Sequence, residues 1–444
     1  MKIHYSSFFS DYGSVLVLVI LCAVMSFATL KEQPATSYAA AKDLASDLLS
    51  EKGKGANVMI LVRGGSKGAG PEFARNLEMA ISDVGLVVVK NVQGTPRDAR
   101  KALLDQPQSQ PLVALVTDQH MSVFCSDHLS DLSKGNPALA QAESYSPKKQ
   151  TWPIFLKKDN LRNVLKQISV VAVIAIGMTL VIITGGIDLS VGSLIAFSAV
   201  VTALAIHHLG GANPTVSDLW LGSLAGIIAC SIIGLCTGAF VTLFKVPAFI
   251  VTLGVMFIAR GLAFLSLEKP NGLPIGNEES FKWLGSGAGL GLHNSAVLML
   301  VLYLLAHIMM SRTSIGRYIY AVGGNPEAAR LSGVPVQKVL VFVYVLCALL
   351  AGLGGVMTAS LQMSGDPKAG GLVELQVIAA VVVGGTSLAG GKGKIFGTLI
   401  GALIIGVIKN GMNLAEIQGK EQDVIFGLVI LVAVLVDQLK NRLN

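Results

Sequence analysis

Charge is scarce in this 444-residue chain. Asp, Glu, Lys and Arg make up 14% of it, where a soluble globular domain carries about 25%. So few charges exclude a molecule whose surface is mostly solvated by water. Aromatic residues are equally thin at 6%, and the basic residues are spread along loops without aromatics between them. That excludes a nucleic-acid surface, which needs clustered cations and stacking rings, although the net charge is +7. Five cysteines are present: Cys22, Cys230, Cys236 and Cys347 in apolar runs, and Cys125 in a polar region. None forms a CxxC or a Cys/His cluster, so no metal or redox motif is written here. The chain also lacks GxxxxGK[ST], GxGxxG, GxSxG and HExxH. What it has instead is apolar bulk, with 52% hydrophobic residues and 49 glycines and a mean hydropathy of +0.65. Small residues of this kind let membrane helices approach closely.

A bilayer core about 30 Å thick takes around 20 apolar residues per helix. Ten segments qualify: Ser14–Leu30, Ile168–Ile187, Leu189–Ile206, Leu219–Phe244, Val246–Leu267, Ser295–Met310, Val339–Met363, Leu375–Ala389, Ile395–Met412 and Val424–Val436. The last three are short, as tilted or broken helices buried in protein are. The first is read as a retained helix, because its apolar core is longer than that of a usual signal peptide. With the N-terminus inside, the inner set holds Lys2, Lys245, Arg312, Arg317, Arg330, Lys338, Lys392, Lys394, Lys440 and Arg442. The short outer loops hold Lys269, Lys282, Lys368 and Lys420, together with Glu278, Glu279, Asp366, Glu416, Glu421 and Asp423. Ten cations against four give a positive-inside bias, with both termini inside.

One carboxylate interrupts this pattern. Asp188 lies in "IITGGIDLSVGSLIAF", between two uncharged runs. Gly185 and Gly186 permit a tight turn, and Asp188 stands near the start of the next helix. It is either a cap at that turn or a polar point on a transport path or its gate. Gln362, Gln376, Asn410 and Asn413 are further candidates for lining such a path, or for bonding neighbouring helices. Arg260 lies inside a span, placed to pair with a carboxylate or to snorkel. His307 is likewise intramembrane and reads as a packed residue. The pairs Gly222/Gly226, Gly234/Gly238 and Gly397/Gly401 fit close helix packing.

Residues 32–157 break the apolar pattern. "NVMILVRGG", "LVVVKNVQG" and "PLVALVTD" read as strands alternating with helices, among them one opened by Thr95 and Pro96. Alternation of this kind predicts a small parallel α/β domain. By the loop charges it lies outside the membrane on the extracytoplasmic face. "RGGSKGAG" within it is glycine-rich but carries no nucleotide fingerprint. The chain therefore divides into a first helix at 1–31, an inserted domain at 32–157 and a polytopic helical membrane domain at 158–444.

Ser311–Val339 is a long polar loop on the inner side. Asn325 caps a short helix with Pro326 at its first position and Glu327 in its first turn, stopping by Gly333. A surface helix there is either a docking element for a cytoplasmic partner or a solvated connector.

Four stretches, "GMTLVIITGGIDLSVGS", "VPAFIVTLGVMFIARG", "GRYIYAVGGNPEAARLSGV" and "AAVVVGGTSLAGGKGKIFGTLIGALIIGVIKNGMNL", occur in order from Trp152 onward. Together they resemble the permease subunit of ribose/xylose-type ABC sugar importers. The resemblance implies about ten helices and a dimer, made with a second copy or a close paralogue, in a bacterial inner membrane. It implies a cytoplasmic ATP-binding subunit that carries ATP and Mg, and a periplasmic sugar-binding protein. The chain itself would hold no cofactor and hydrolyse no ATP. Gly324, Asn325, Pro326, Glu327, Ala328, Ala329, Arg330 and Leu331 correspond to the coupling helix that fits the ATPase. Other cargoes are a nucleoside, a polyol or a signalling furanose. A membrane sensor that does not transport is the reading from another class. The insert departs from the family pattern. It is a docking platform for the binding protein, a partial substrate receptor, or a spacer.

Overall fold

The computed structural model describes residues 5–64, 69–211, 213–267, 271–276, 279–289, 291–417 and 419–443. Lys2, Lys269, Glu278 and residues 65–68 of the glycine-rich loop lie outside the described residues. The chain forms two compact units, one of residues Met1–Thr29 and Ile154–Asn444, the other of Leu30–Pro153.

The first unit opens with helix α1 (Tyr5–Ala28). The second unit follows: β1 (Leu30–Pro34), α2 (Tyr38–Lys52), β2 (Asn57–Arg63), α3 (Ala69–Asp83), β3 (Val87–Gly94), α4 (Pro96–Leu104), β4 (Ala114–Thr117), α5 (Gln119–Gly135), β5 (Glu143–Tyr145) and β6 (Lys149–Pro153). Strands β2 to β5 make a parallel sheet in the order β3-β2-β4-β5. Alternation along β2 builds two cores. Val58, Ile60 and Val62 pack with Leu44 and Leu48 of α2 and Phe73 and Leu77 of α3. Met59 and Leu61 pack with Ala99 and Leu103 of α4 and Met121 and Cys125 of α5. A strand buried on both faces reads as a continuous apolar run, as "VMILV" does. Thr95 caps α4 in a reciprocal box with Asp98, and Pro96 follows it. β1 and β6 pair antiparallel from Leu30 opposite Pro153 to Pro34 opposite Lys149.

The first unit resumes with α6 (Lys158–Ile183), α7 (Val191–Gly210), α8 (Val216–Leu243), α9 (Ala248–Leu265), α10 (Glu279–Gly285) and α11 (Asn294–Arg312). Then come α12 (Ser314–Gly324), α13 (Pro326–Leu331), α14 (Val336–Gln362), α15 (Val373–Val383), α16 (Ile395–Leu414) and α17 (Gly419–Leu443). Seven of these, α6, α7, α8, α9, α11, α14 and α16, are long and apolar enough to cross a membrane, among the described residues. The expected span Leu375–Ala389 is corrected to α15, which has 11 residues and rises only about 16 Å. Gly384 and Gly385 end it, the latter at φ 90°. The polar loop is corrected as well, since its first third is helix α12, capped by Thr313.

α6 is the centre of this unit. Its residues are buried almost without interruption from Ile168 to Ile183, as a helix apolar on all sides requires. Between apolar helices in lipid, packing and hydrogen bonds replace hydrophobic drive, and glycines set the distances. Gly222 and Gly226 of α8 lie against Thr202 and Ser198 of α7. Gly234 and Gly238 lie against Ala348 and Val341 of α14, and Gly397 and Gly401 against Gly384 and Ala380. The large apolar residues of α8 face outward: Trp220, Leu224, Ile228 and Ile232 are exposed.

Candidate functional site

Two helices of the first unit are broken, and the breaks define its interior. α6 ends in a glycine turn: the N–H of Gly185 donates to Ile182 O (2.9 Å) and that of Gly186 to Val181 O (2.9 Å). Gly185 takes φ 82°, which only glycine adopts without strain. Residues 184–190 then run without regular structure, and α7 begins at Val191, two residues later than expected. Asp188, 2% exposed, is therefore no helix cap. Its Oδ1 accepts from Ser190 N (2.9 Å) and Ser190 Oγ (2.6 Å), closing a local turn ahead of the helix. Tyr344 and Cys347 of α14 face the same carboxylate. Thr252 Oγ1 of α9 donates to Ile187 O (3.1 Å).

α14 leads into the second break, 363–372. Asp366 Oδ1 accepts from Lys368 N (2.8 Å), the same two-residue turn that Asp188 makes. Arg260 Nη1 donates to Ala369 O (3.2 Å), so this cation holds the backbone of the second break, and its charge also reaches the carboxylate of Glu374. Met363 and Leu372 bracket the segment in left-handed conformations, φ 53° and 60°. Such strain persists only where the surroundings impose it. The second break meets the first turns of α7 at glycines: a β-carbon on Gly370 would lie 3.1 Å from the Gly192 carbonyl carbon and 3.0 Å from Ile195 Cβ. Glu374, in the first turn of α15, turns its carboxylate toward Gly192, and its Oε2 has no hydrogen-bond partner.

The five candidate path residues are not gathered into one place. Asp188 sits in the first break. Gln362 is exposed at the last position of α14, fifteen residues beyond Cys347 and so about 22 Å along the helix. Gln376 is half-buried in α15. Asn410 is buried and exchanges two 2.9 Å hydrogen bonds with Asn160 of α6. Asn413 is exposed and accepts from Gln422 Nε2 (2.9 Å). His307 is exposed on α11 and not packed. Arg260, Gly192, Gly370 and Asp366 were not singled out together by their residue types. The signal that links Gly192, Gly370 and Asp366 is an Asp four residues before a Gly in each stretch, "GGIDLSVG" and "SGDPKAGG"; Arg260, in α9, stands outside it.

The second candidate place is α13. Asn325 Oδ1 accepts from Ala328 N (3.0 Å), Pro326 follows, and Glu327 pairs with Arg330 (2.8 Å). Ala329 is buried, while Leu331 is 84% exposed. Gly333 turns the chain out at φ 84°. Residues 324–331 thus run from the last residue of α12 through the Asn325 cap into one mostly exposed helical unit, with the ion pair Glu327–Arg330 followed by the exposed Leu331.

The matched span of the protein family described as "Branched-chain amino acid transport system / permease component" covers residues 160–434. The chain belongs to this family. It is a permease component and a multi-pass membrane protein. The ribose import permease protein RbsC of Escherichia coli K12 is 45% identical over 295 residues, 65% of this chain and 88% of the relative. Its counterpart of the same name in Bacillus subtilis is 41% identical over 289 residues, again 65% and 88%. The L-arabinose ABC transporter permease protein AraH of Azospirillum brasilense is 37% identical over 292 residues, 66% and 84%. No solved structure matches the chain. The unit Leu30–Pro153 lies outside the matched span.

Proposed function

We propose that this chain is the membrane-spanning subunit of an ATP-driven importer that carries a monosaccharide of the ribose, arabinose or xylose class inward across a bacterial inner membrane. The observation that carries this is the identity of 45% with a ribose import permease over nearly its whole length. A second permease copy completes the path. A cytoplasmic subunit binds ATP and Mg and docks on α13, where Glu327, Arg330 and exposed Leu331 offer charge and apolar contact in one turn. Both termini face inside, as the loop charges require, and the inserted unit lies on the far side. Among its described residues that unit has one parallel sheet and no second lobe to close over a ligand, which favours a platform for a separate sugar-binding protein over a receptor of its own.

The test is reconstitution with the candidate ATPase and binding protein, comparing wild type with the double variant Glu327→Arg, Arg330→Glu. The swap preserves the internal ion pair and reverses the charges shown to the partner. The expected result is loss of ATPase association and of ATP-dependent ribose uptake in a folded protein. Uptake that proceeds without ATPase, or is untouched by the swap, overturns the reading. Ribose binding by a chain lacking its binding protein would favour a receptor role for the insert.

A further inference from the structure

Gly323 is the penultimate residue of α12, two residues before the cap of α13, and three stretches of backbone meet there without an intervening side chain. The first is the end of α6, the second the end of α12, the third the loop 384–394 between α15 and α16. Gly391 N donates to Ile183 O (2.8 Å). A β-carbon on Gly323 would lie 2.7 Å from Gly391 N and 2.9 Å from the carbonyl carbon of Ile183. One on Gly390 would lie 2.9 Å from Gly323 O and 3.3 Å from Gly185 N. These are backbone atoms, which cannot swing aside as a flexible side chain does. Tyr320 of α12 adds a hydrogen bond from its hydroxyl to Gly393 O (2.7 Å). One step deeper, the buried hydroxyls of Thr179 and Thr398 join α6 to α16 (2.7 Å).

The two loops that meet at Gly323 are built alike. α6 ends with Gly185 N to Ile182 O (2.9 Å) and Gly186 N to Val181 O (2.9 Å); α15 ends with Gly385 N to Val382 O (2.8 Å) and Thr386 N to Val381 O (3.1 Å). The first turn leads directly to Asp188 and α7, the second to α16. Anything that displaces the short capped unit α13 therefore acts, through a single linking residue, on a contact shared by both turns. A packed backbone contact of this kind shifts between discrete arrangements and does not deform smoothly.

We propose that Gly323 is a positioning residue for coupling: its lack of a side chain lets the α12–α13 unit seat against Ile183 and Gly391, so that one push moves both glycine turns. This rests on the docking of an ATPase on α13. Gly254 supplies the control: it lies inside α9, outside both breaks and α13, and a β-carbon there meets nothing within 4 Å.

The experiment uses the full chain in vesicles with the ATPase and binding protein, reading ribose taken up and ATP hydrolysed in the same sample for wild type, Gly323→Ala and Gly254→Ala. The expected result is that Gly323→Ala still assembles and hydrolyses ATP while ribose moved per ATP falls about tenfold, within the span of typical coupling energies. Gly254→Ala matches wild type. Equal coupling in all three, or equal loss in both variants, overturns the inference. If Gly323→Ala is not recovered folded, Tyr320→Phe is read in the same assay. It removes only the hydroxyl bond to Gly393, and an unchanged ratio of ribose to ATP again overturns the inference. A wild type without ATP-dependent uptake overturns the importer reading instead, which keeps the two failures apart.

Discussion

Asp188 gathers both polar groups of Ser190 on one oxygen inside a packed interior. Removing the acceptor leaves a buried N–H and a buried O–H without partners, a loss of about 1–3 kcal/mol. Asp188→Ala should therefore lower the midpoint of thermal unfolding in detergent, while Asp188→Asn, which keeps an oxygen in place, should sit close to wild type. Asn160 and Asn410 offer a cleaner pair. Asn160→Leu strands the buried amide of Asn410, Asn410→Leu leaves the half-buried Asn160 amide with its bond to Phe155 O (2.9 Å) alone, and the double change strands neither. A cost of about 1–2 kcal/mol per single variant, mostly recovered in the double, is the outcome expected from thermal unfolding. On the inserted unit, Glu143 is held below the usual carboxylate range, first by its hydrogen bond from Lys52 (2.5 Å) and then by that from Tyr145. Glu51 is lowered by Tyr145 first and Lys52 second. Both are depressed in the folded state, so their contribution is present above the unfolded value and is lost as pH falls through the folded one. Amide exchange across β5 of the full chain, corrected for the intrinsic rate, should rise on acidification below about pH 4. In Glu143→Gln it should already be raised at neutral pH. Cys125, whose thiol burial pushes up to about 11, should stay unlabelled by maleimide at neutral pH until that edge opens.

At the scale of elements, α13 is six residues long, too short to persist by propensity, and its cap decides whether it is a helix. Asn325→Ala should cost about 1 kcal/mol of local stability and weaken ATPase binding several-fold in a pull-down titrated with the subunit. Most of this element was legible in the sequence, because an Asn-Pro-Glu start and a Gly stop are local signals that need no tertiary context. Hydropathy likewise located the seven helices long and apolar enough to cross a membrane among the described residues, since apolar length is a property of each segment alone. What the sequence left hidden has one cause. The breaks at 184–190 and 363–372, the short α15 and the crossing of Gly192 with Gly370 depend on which backbones meet, and a glycine states that a close approach exists without naming its partner. Arg260 shows the same limit: a cation in a span signals a partner, but residue types alone do not say that the carbonyls of Pro367 and Ala369 take its hydrogen bonds while Glu374 lies within reach of its charge. Asn410 was read among path residues beside a helix-bonding alternative, and only the facing Asn160 shows where its hydrogen bonds go.

For the whole molecule, the membrane unit and the insert were separable in the sequence because their compositions differ so sharply, and each closes its own core. The membrane unit also holds its own ends together where the insert departs. Ile154 N donates to Thr29 O (3.0 Å), and Phe155 N to Thr29 Oγ1 (3.1 Å). Replacing Leu30–Pro153 with a two-residue Gly-Ser bridge should therefore leave a membrane unit that unfolds at the temperature of the full chain, measured by tryptophan fluorescence. Uptake by that shortened chain tells whether the insert takes part in delivery. Thr29 and Ile154 are thus an open port in the chain: any folded module whose two ends lie side by side fits there, and a fluorescent protein or an epitope could be carried on the membrane unit without stretching it.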